Sequence, residues 1–182
     1  MELFALEHSK AAYRADFAAY GAAVVVLAGI LLYSGPREQW MGFTAIALGG
    51  LVSWTAIEYA LHRFVLHGMQ PFSRWHAEHH ERPRALICSP TVMSASLIMT
   101  LVFLPALLAF GLWRAVALTL GVLVGYLGYA ITHHATHHWR ADSAWLRDRK
   151  RWHALHHHRV DRPGCYGVTS AFWDHVFGSA NR

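Results

Sequence analysis

Four long apolar stretches, a charged fraction of only 15%, and histidines gathered between and after those stretches predict an all-α integral membrane protein. The expected architecture is four transmembrane helices in two hairpins, with a histidine-rich helical cap on the cytoplasmic side. A length of 182 residues fits one membrane domain covering 1–182. Hydrophobic residues make up 54% of it. A chain this short has no outer layer in which to bury four apolar helices, so the core of a large soluble protein is excluded.

The first span, about 17–34, lies in "FAAYGAAVVVLAGILLYSG", which carries no charge. It follows a mixed-charge start rather than the basic lead and short apolar core of a signal peptide, so it is expected to be retained. "SGPREQ" (34–39) turns the chain into the second span, about 40–60. Residues 61–89 form the first part of the cap. The third span, about 90–112, contains Pro105, which removes a backbone donor and should kink the helix. "GLWR" (111–114) makes the second tight turn, into a span at about 115–132. There Gly121, Gly125 and Gly128 would let a neighbouring helix approach closely. The tail, 133–182, completes the cap.

Charge orients these pieces. Of the sixteen Lys and Arg residues, only Arg37 and Arg114 lie at the hairpin tips. The others fall in the N-terminus, 61–89 and 133–182, which places both termini and the cap in the cytoplasm. The net charge of +5 is a topology signal and a means of touching anionic head groups. No nucleic-acid partner is expected, because the basic residues flank membrane ends rather than a nucleic-acid fold. Cys88 and Cys165 fit neither a disulfide nor a metal spacing and are expected as thiols.

Histidine carries the chemistry. There are fifteen, and all but His8 lie in 62–80 or 133–175. In "HAEHH", His76 shares a helix face with His79 and His80. In "HHATHH", His133 faces His137, and His134 faces His138. In "HALHHH", His153 faces His156 and His157. In "LHRFVLH", His62 and His67 stand about 140° apart on an ideal helix, so they need a helix end or different ions. Neutral imidazole is a good ligand for iron, zinc or copper, and crowded imidazoles without a metal would be poorly satisfied. One zinc ion takes about four ligands, and the histidines here suffice for two ions. A flexible metal-storage tract would be low in complexity, unlike these spaced clusters. A zinc hydrolase should show H-E-x-x-H or H-x-x-E-H, and neither occurs. A transporter should place its ligands near the bilayer midplane rather than at one end. No Glu-x-x-His pattern of soluble di-iron bundles is present, so a nearly all-nitrogen ligand set is expected.

From about residue 54 to the C-terminus, the order "LHRFVLH", "HAEHH", "HHATHH", "HALHHH" and "GVTSAFWDHVFGS" resembles the fatty acid hydroxylase/sterol desaturase superfamily of membrane di-iron oxygenases. The branch most similar is the fatty acid 2-hydroxylases. The resemblance implies metal ligation by His62, His67, His76, His79, His80, His133, His137, His153, His156 and His157. His138 completes a double histidine beside them. His134 stands where the family has an apolar or aromatic residue, which leaves the choice between His133 and His134 open.

The resemblance also implies two iron ions, with zinc as a substitute in purified protein. They would use O₂ to hydroxylate a membrane lipid, foremost a fatty acyl chain. No cytochrome b5 domain like that of some members is expected within these 182 residues. Electrons are therefore expected from a separate donor, such as a ferredoxin or cytochrome b5-type carrier. The same motifs fit carotenoid or sterol hydroxylases and desaturases, and a histidine-rich metal binder or transporter is the reading from a different class. Metal-bound imidazoles need an acceptor on the second ring nitrogen. Glu58, four residues before His62, and Asp174 in "FWDHVFG" are the expected carboxylates. His158 and His175 are expected in supporting roles.

Overall fold

The computed structural model describes residues 7–158 and 163–180. Arg159, Arg162 and Arg182, counted above among the basic residues, lie outside them. Among the described residues there are helices and one isolated bridge, Glu7 to Ile87, but no strand. The chain divides into two compact units, Met1–Trp54 with Leu86–Leu127, and Thr55–Ala85 with Gly128–Arg182.

The first unit begins with helix α1, Lys10–Ser34. The Ser9 hydroxyl accepts from the Ala12 N–H at 3.2 Å, which satisfies one of the donors that a helix start leaves over. Gly35 ends α1, and a 3₁₀ turn at Arg37–Gln39 leads into α2, Trp40–Ala60. After the second unit's first segment come α4, Thr91–Ile98, and α5, Leu104–Phe110. Between them lies a π-helical turn, Met99–Phe103. Pro105, the site of the expected kink, stands at the start of α5, directly after this turn, where a missing N–H costs the helix least. Gly111, at φ +80°, reverses the chain into α6, Leu112–His138.

Leu31, Phe43, Val116 and Ala117 form the buried core of this unit. Glycine sets its closest approach. A methyl group at Gly121 would strike the Ala47 carbonyl, and one at Gly125 would strike the Trp54 side chain. Gly128 meets nothing within 4 Å, so only two of the three expected glycines serve contact. Gly50, opposite Leu118 and Gly121, does so as well. Polar groups add a staple: Thr91 donates to Asp16 at 2.6 Å, and the Tyr20 and Ser94 hydroxyls lie 2.6 Å apart.

Lys10–Ser34, Arg37–Leu66, Thr91–Phe110 and Leu112–His138 are each long and apolar enough to cross a membrane. The first, second and fourth run past the expected limits, whereas the third falls within them; α6 carries "HHATHH" on its own last turns. Val25, Met41, Val52, Leu101 and Leu108 are each at least 66% exposed. Water does not tolerate apolar surface of that extent, and hydrocarbon does.

The second unit takes α2 from Thr55 and continues it as a π-helical turn, Leu61–Leu66. Helix α3, Phe72–Glu81, follows. The unit then holds the last turns of α6, helix α7, Ala144–His158, and the short α8, Phe172–Val176. The Ser143 hydroxyl accepts from Leu146 N–H at 3.1 Å to start α7. Lys150 donates to the Trp139 carbonyl at 2.6 Å, which satisfies an acceptor where α6 ends.

Candidate metal centre

Five histidines, His62, His67, His76, His80 and His156, bring one ring nitrogen each to within 4.8 Å of one another. His79, His133, His137 and His153 form a second such group. Both lie in the second unit, and either could hold a metal ion. The π turn explains the first pair. With hydrogen bonds from i to i+5, residues five apart come round to the same side. The His62 and His67 rings are therefore 5.3 Å apart, where an α-helix would have diverged them.

Each H-x-x-H-H box serves both groups. His76 and His80 go to the first and His79 to the second. In α7 the assignment is reversed: His156 goes to the first and His153 to the second. His157 holds the remaining position of this exchange. Its Nε2 lies 3.1 Å from that of His153, as His80 Nε2 lies 3.1 Å from that of His76. The His157 ring stacks on His80 at 4.2 Å.

The Nε2 atoms point at one another. The separations are 3.0 Å for His62 and His76, 3.1 Å for His67 and His156, 3.1 Å for His79 and His133, and 2.8 Å for His137 and His153. Two nitrogens held about 2.0–2.1 Å from one ion stand roughly 3 Å apart at right angles. In the runs His62–His76–His80 and His137–His153–His157, the middle nitrogen faces two others, and a single N–H serves one at a time. A cation would satisfy all of them at once, so the donor set fits a metal.

Protonation points the same way. Burial pushes His67 down to about 4 and His79 down to about 3, and neighbouring histidines push further in the same direction. His157 falls to about 2, His80 is lowered, and His76, His153 and His156 lie well below the ordinary range, in each case chiefly through burial. Neutral imidazole, the ligating form, is the resting state.

The second ring nitrogens differ between the groups. His62 Nδ1 lies 2.6 Å from the Tyr166 carbonyl, and His156 Nδ1 lies 2.8 Å from the Gly164 carbonyl. Both must donate there, which leaves Nε2 as a lone pair. Buried Nδ1 atoms of His79, His153 and His157 have no partner among the described residues.

Among the described residues the two expected carboxylates hydrogen-bond to groups other than the histidine rings. Glu58 accepts from the N–H groups of Val168 and Thr169 at 2.7 and 2.9 Å and from the Thr169 hydroxyl at 2.5 Å. Asp174 accepts from Tyr166 N–H, Gly167 N–H and the Ser179 hydroxyl at 2.9, 2.8 and 2.7 Å, and from Trp152 Nε1 at 3.3 Å. Both hold the segment that supplies the carbonyls. His138, expected beside the ligands rather than among them, stacks on His134 at 4.5 Å and lies outside both groups. His133, not His134, joins a group, because successive helix residues point about 100° apart. His158 and His175 bond to the carbonyls of Ala154 and Ala171. Sequence reasoning missed Gly164 and Tyr166. Their contribution is backbone, and the glycine-containing run "GCYGVTS" was its only trace. Neither cysteine is in a disulfide.

Comparison with known proteins places the chain in a family and matches its fold. Residues 47–179 match the family model described as fatty acid hydroxylase. The chain is 38% identical to a dihydroceramide fatty acyl 2-hydroxylase of Arabidopsis thaliana, over 71% of this chain and 58% of that one. It is 34% identical to a ceramide very long chain fatty acid hydroxylase of Schizosaccharomyces pombe, over 71% of this chain and 40% of that one. A solved structure of full-length scs7p, in which only the hydroxylase domain is visible, superposes with a TM-score of 0.78 at 27% identity. It covers 92% of this chain and 66% of the solved one. The chain thus spans about half the length of the curated relatives it matches.

Proposed function

Since this chain belongs to the fatty acid hydroxylase family, we propose that it is a membrane oxygenase that hydroxylates a lipid acyl chain. The observation that carries the reading is the convergence of Nε2 lone pairs into two adjoining groups. His62, His67, His76, His80 and His156 would hold one ion. His79, His133, His137 and His153 would hold the other, with His157 as the fifth ligand that the exchange between boxes calls for. Iron is the metal that suits the reaction, and zinc fits the same nitrogens. Two bound iron ions supply the O₂-activating redox chemistry, which no side chain here provides.

The overall reaction is R–H + O₂ + 2e⁻ + 2H⁺ → R–OH + H₂O. A C–H bond is replaced by C–OH, and the second oxygen atom leaves as water. The names of relatives, fatty acyl and ceramide fatty acid hydroxylases, support an acyl chain as substrate and the carbon beside its carbonyl as the position oxidised. The electrons would come from a separate carrier of the ferredoxin or cytochrome b5 type.

The chain's own residues do three things. Burial keeps the imidazoles neutral and available. The apolar helices present a lipid-compatible surface from which a substrate enters without crossing water. The helices and tail that carry the histidines are basic, which supports a cytoplasmic site reachable by a soluble donor. In this reading residues 1–182 work as one hydroxylase domain.

Lipid mass spectrometry of cells with and without the gene tests the proposal. The expected product is an acyl chain one oxygen heavier, with fragmentation placing the hydroxyl at C2. The gain should vanish in His79→Ala and persist in His8→Ala. An unchanged acyl profile in cells that make the intact, metal-loaded protein would rule the activity out.

A further inference from the structure

The two histidine groups do not have the same surroundings. Residues Pro163–Ser170 form an irregular segment that bends at Val168 and Thr169, and its backbone carbonyls meet ring nitrogens of His62 and His156, both in the first group. At its centre Cys165, 1% exposed, sits at φ +57°, a conformation that a side-chain-bearing residue seldom adopts. The carbonyls on either side of it are the two that matter, Gly164 to His156 and Tyr166 to His62. Strain of this kind persists where the surroundings over-determine it.

Two buried carboxylates do that. Asp174, 0% exposed, accepts four hydrogen bonds, two of them from the segment's own N–H groups. Glu58, 3% exposed, accepts three, all from Val168 and Thr169. Gly167 fits because a methyl group there would strike the Ser170 carbonyl and crowd Asp174. In the second group, by contrast, buried Nδ1 atoms of His79 and His153 find no acceptor among the described residues.

We propose that Pro163–Ser170, clamped by Glu58 and Asp174, is a strap that makes the two metal sites unequal, so that the His62/His67/His76/His80/His156 group binds its ion first and releases it last. A carbonyl on Nδ1 fixes the tautomer, aims Nε2 and raises its basicity. Two of the five ligands in the first group have that help. Glu58 and Asp174 are positioning residues that act through the strap rather than on the ion. The inference rests on the two-ion reading of the preceding section.

Zinc tests it without enzymatic turnover. Full-length protein in detergent is loaded with Zn²⁺ and exposed to rising chelator, and the ions per chain are counted. Two separate losses are expected, the later at a chelator concentration at least about tenfold higher. His67→Ala should abolish the later step and His137→Ala the earlier one.

The strap variants separate positioning from mere folding. Asp174→Asn turns an amide N–H toward donors, whichever way it is oriented, and should weaken the later step about 10- to 100-fold while sparing the earlier one. Glu58→Ala should do likewise. Glu58→Gln should restore binding, because one oxygen still accepts from both N–H groups and the Thr169 hydroxyl can turn to accept. Should Asp174→Asn fail to fold, the Ala and Gln pair at Glu58 decides alone. Loss of both ions together, a later step that belongs to His137, or equal behaviour of Glu58→Ala and Glu58→Gln overturns the inference and leaves the two-ion reading intact. Uptake of fewer than two ions overturns both.

Discussion

At position 133 the ring nitrogen lies 3.1 Å from that of His79, whereas the His134 ring stacks on His138 with 4.5 Å between centroids. One residue of helix, about 100° of rotation, separates a ligand position from a flanking one. His133→Ala should therefore lower bound metal by about one ion per chain and remove activity. His134→Ala should leave metal content within error of the parent, with elemental analysis as the readout. A matching loss in both would mean that the α6 register is wrong. The same reasoning explains why Glu58 and Asp174 were legible as important but not in their roles. A buried carboxylate beside a ligand signals a partner. Yet the partner here is the strap, and the strap's contribution to the rings is two carbonyls, a group that every residue carries.

Among the elements, the apolar spans were readable from their length and lack of charge, and the i, i+3, i+4 boxes because they follow the period of an α-helix. The π turn was not. The five-residue spacing of His62 and His67 conflicts with that period, and the conflict is resolved by a change of hydrogen-bond register that hydropathy does not record. Inserting one alanine after Val65 should put the His67 side chain six residues past His62, about 120° away on an α-helix, and turn it from the group, with bound metal falling although the helix content seen by circular dichroism holds. The contact of α2 with α6 in the first unit rests on Gly121, where a methyl group would strike the Ala47 carbonyl. Gly121→Val should cost about 1–3 kcal/mol, the usual result of overpacking, and lower the melting temperature in detergent. Gly128→Ala meets nothing within 4 Å and should leave it unchanged. Both lie in "GVLVGYLG", so sequence alone could not rank them.

At the scale of the whole molecule, a cluster of buried imidazoles couples folding to pH, and the sign follows from which state binds more protons. In the folded chain His67 is held down to about 4, His79 to about 3 and His157 to about 2, mainly by burial. Unfolded, each would titrate near 6.5. Between those values the unfolded chain binds protons that the folded chain refuses, so stability falls as pH drops below about 6.5 and is nearly flat above it. The metal-free protein should therefore melt at clearly lower temperature at pH 5 than at pH 7.5, with little change from 7.5 to 8.5. Acid should also displace the ions, since each ligand must shed its proton to bind. Metal release and loss of stability are thus two results of one protonation event, and both should move to lower pH as more zinc is supplied. A melting temperature independent of pH from 7.5 to 5 would mean that these rings are already solvated or charged in the fold, against the burial that holds them neutral here.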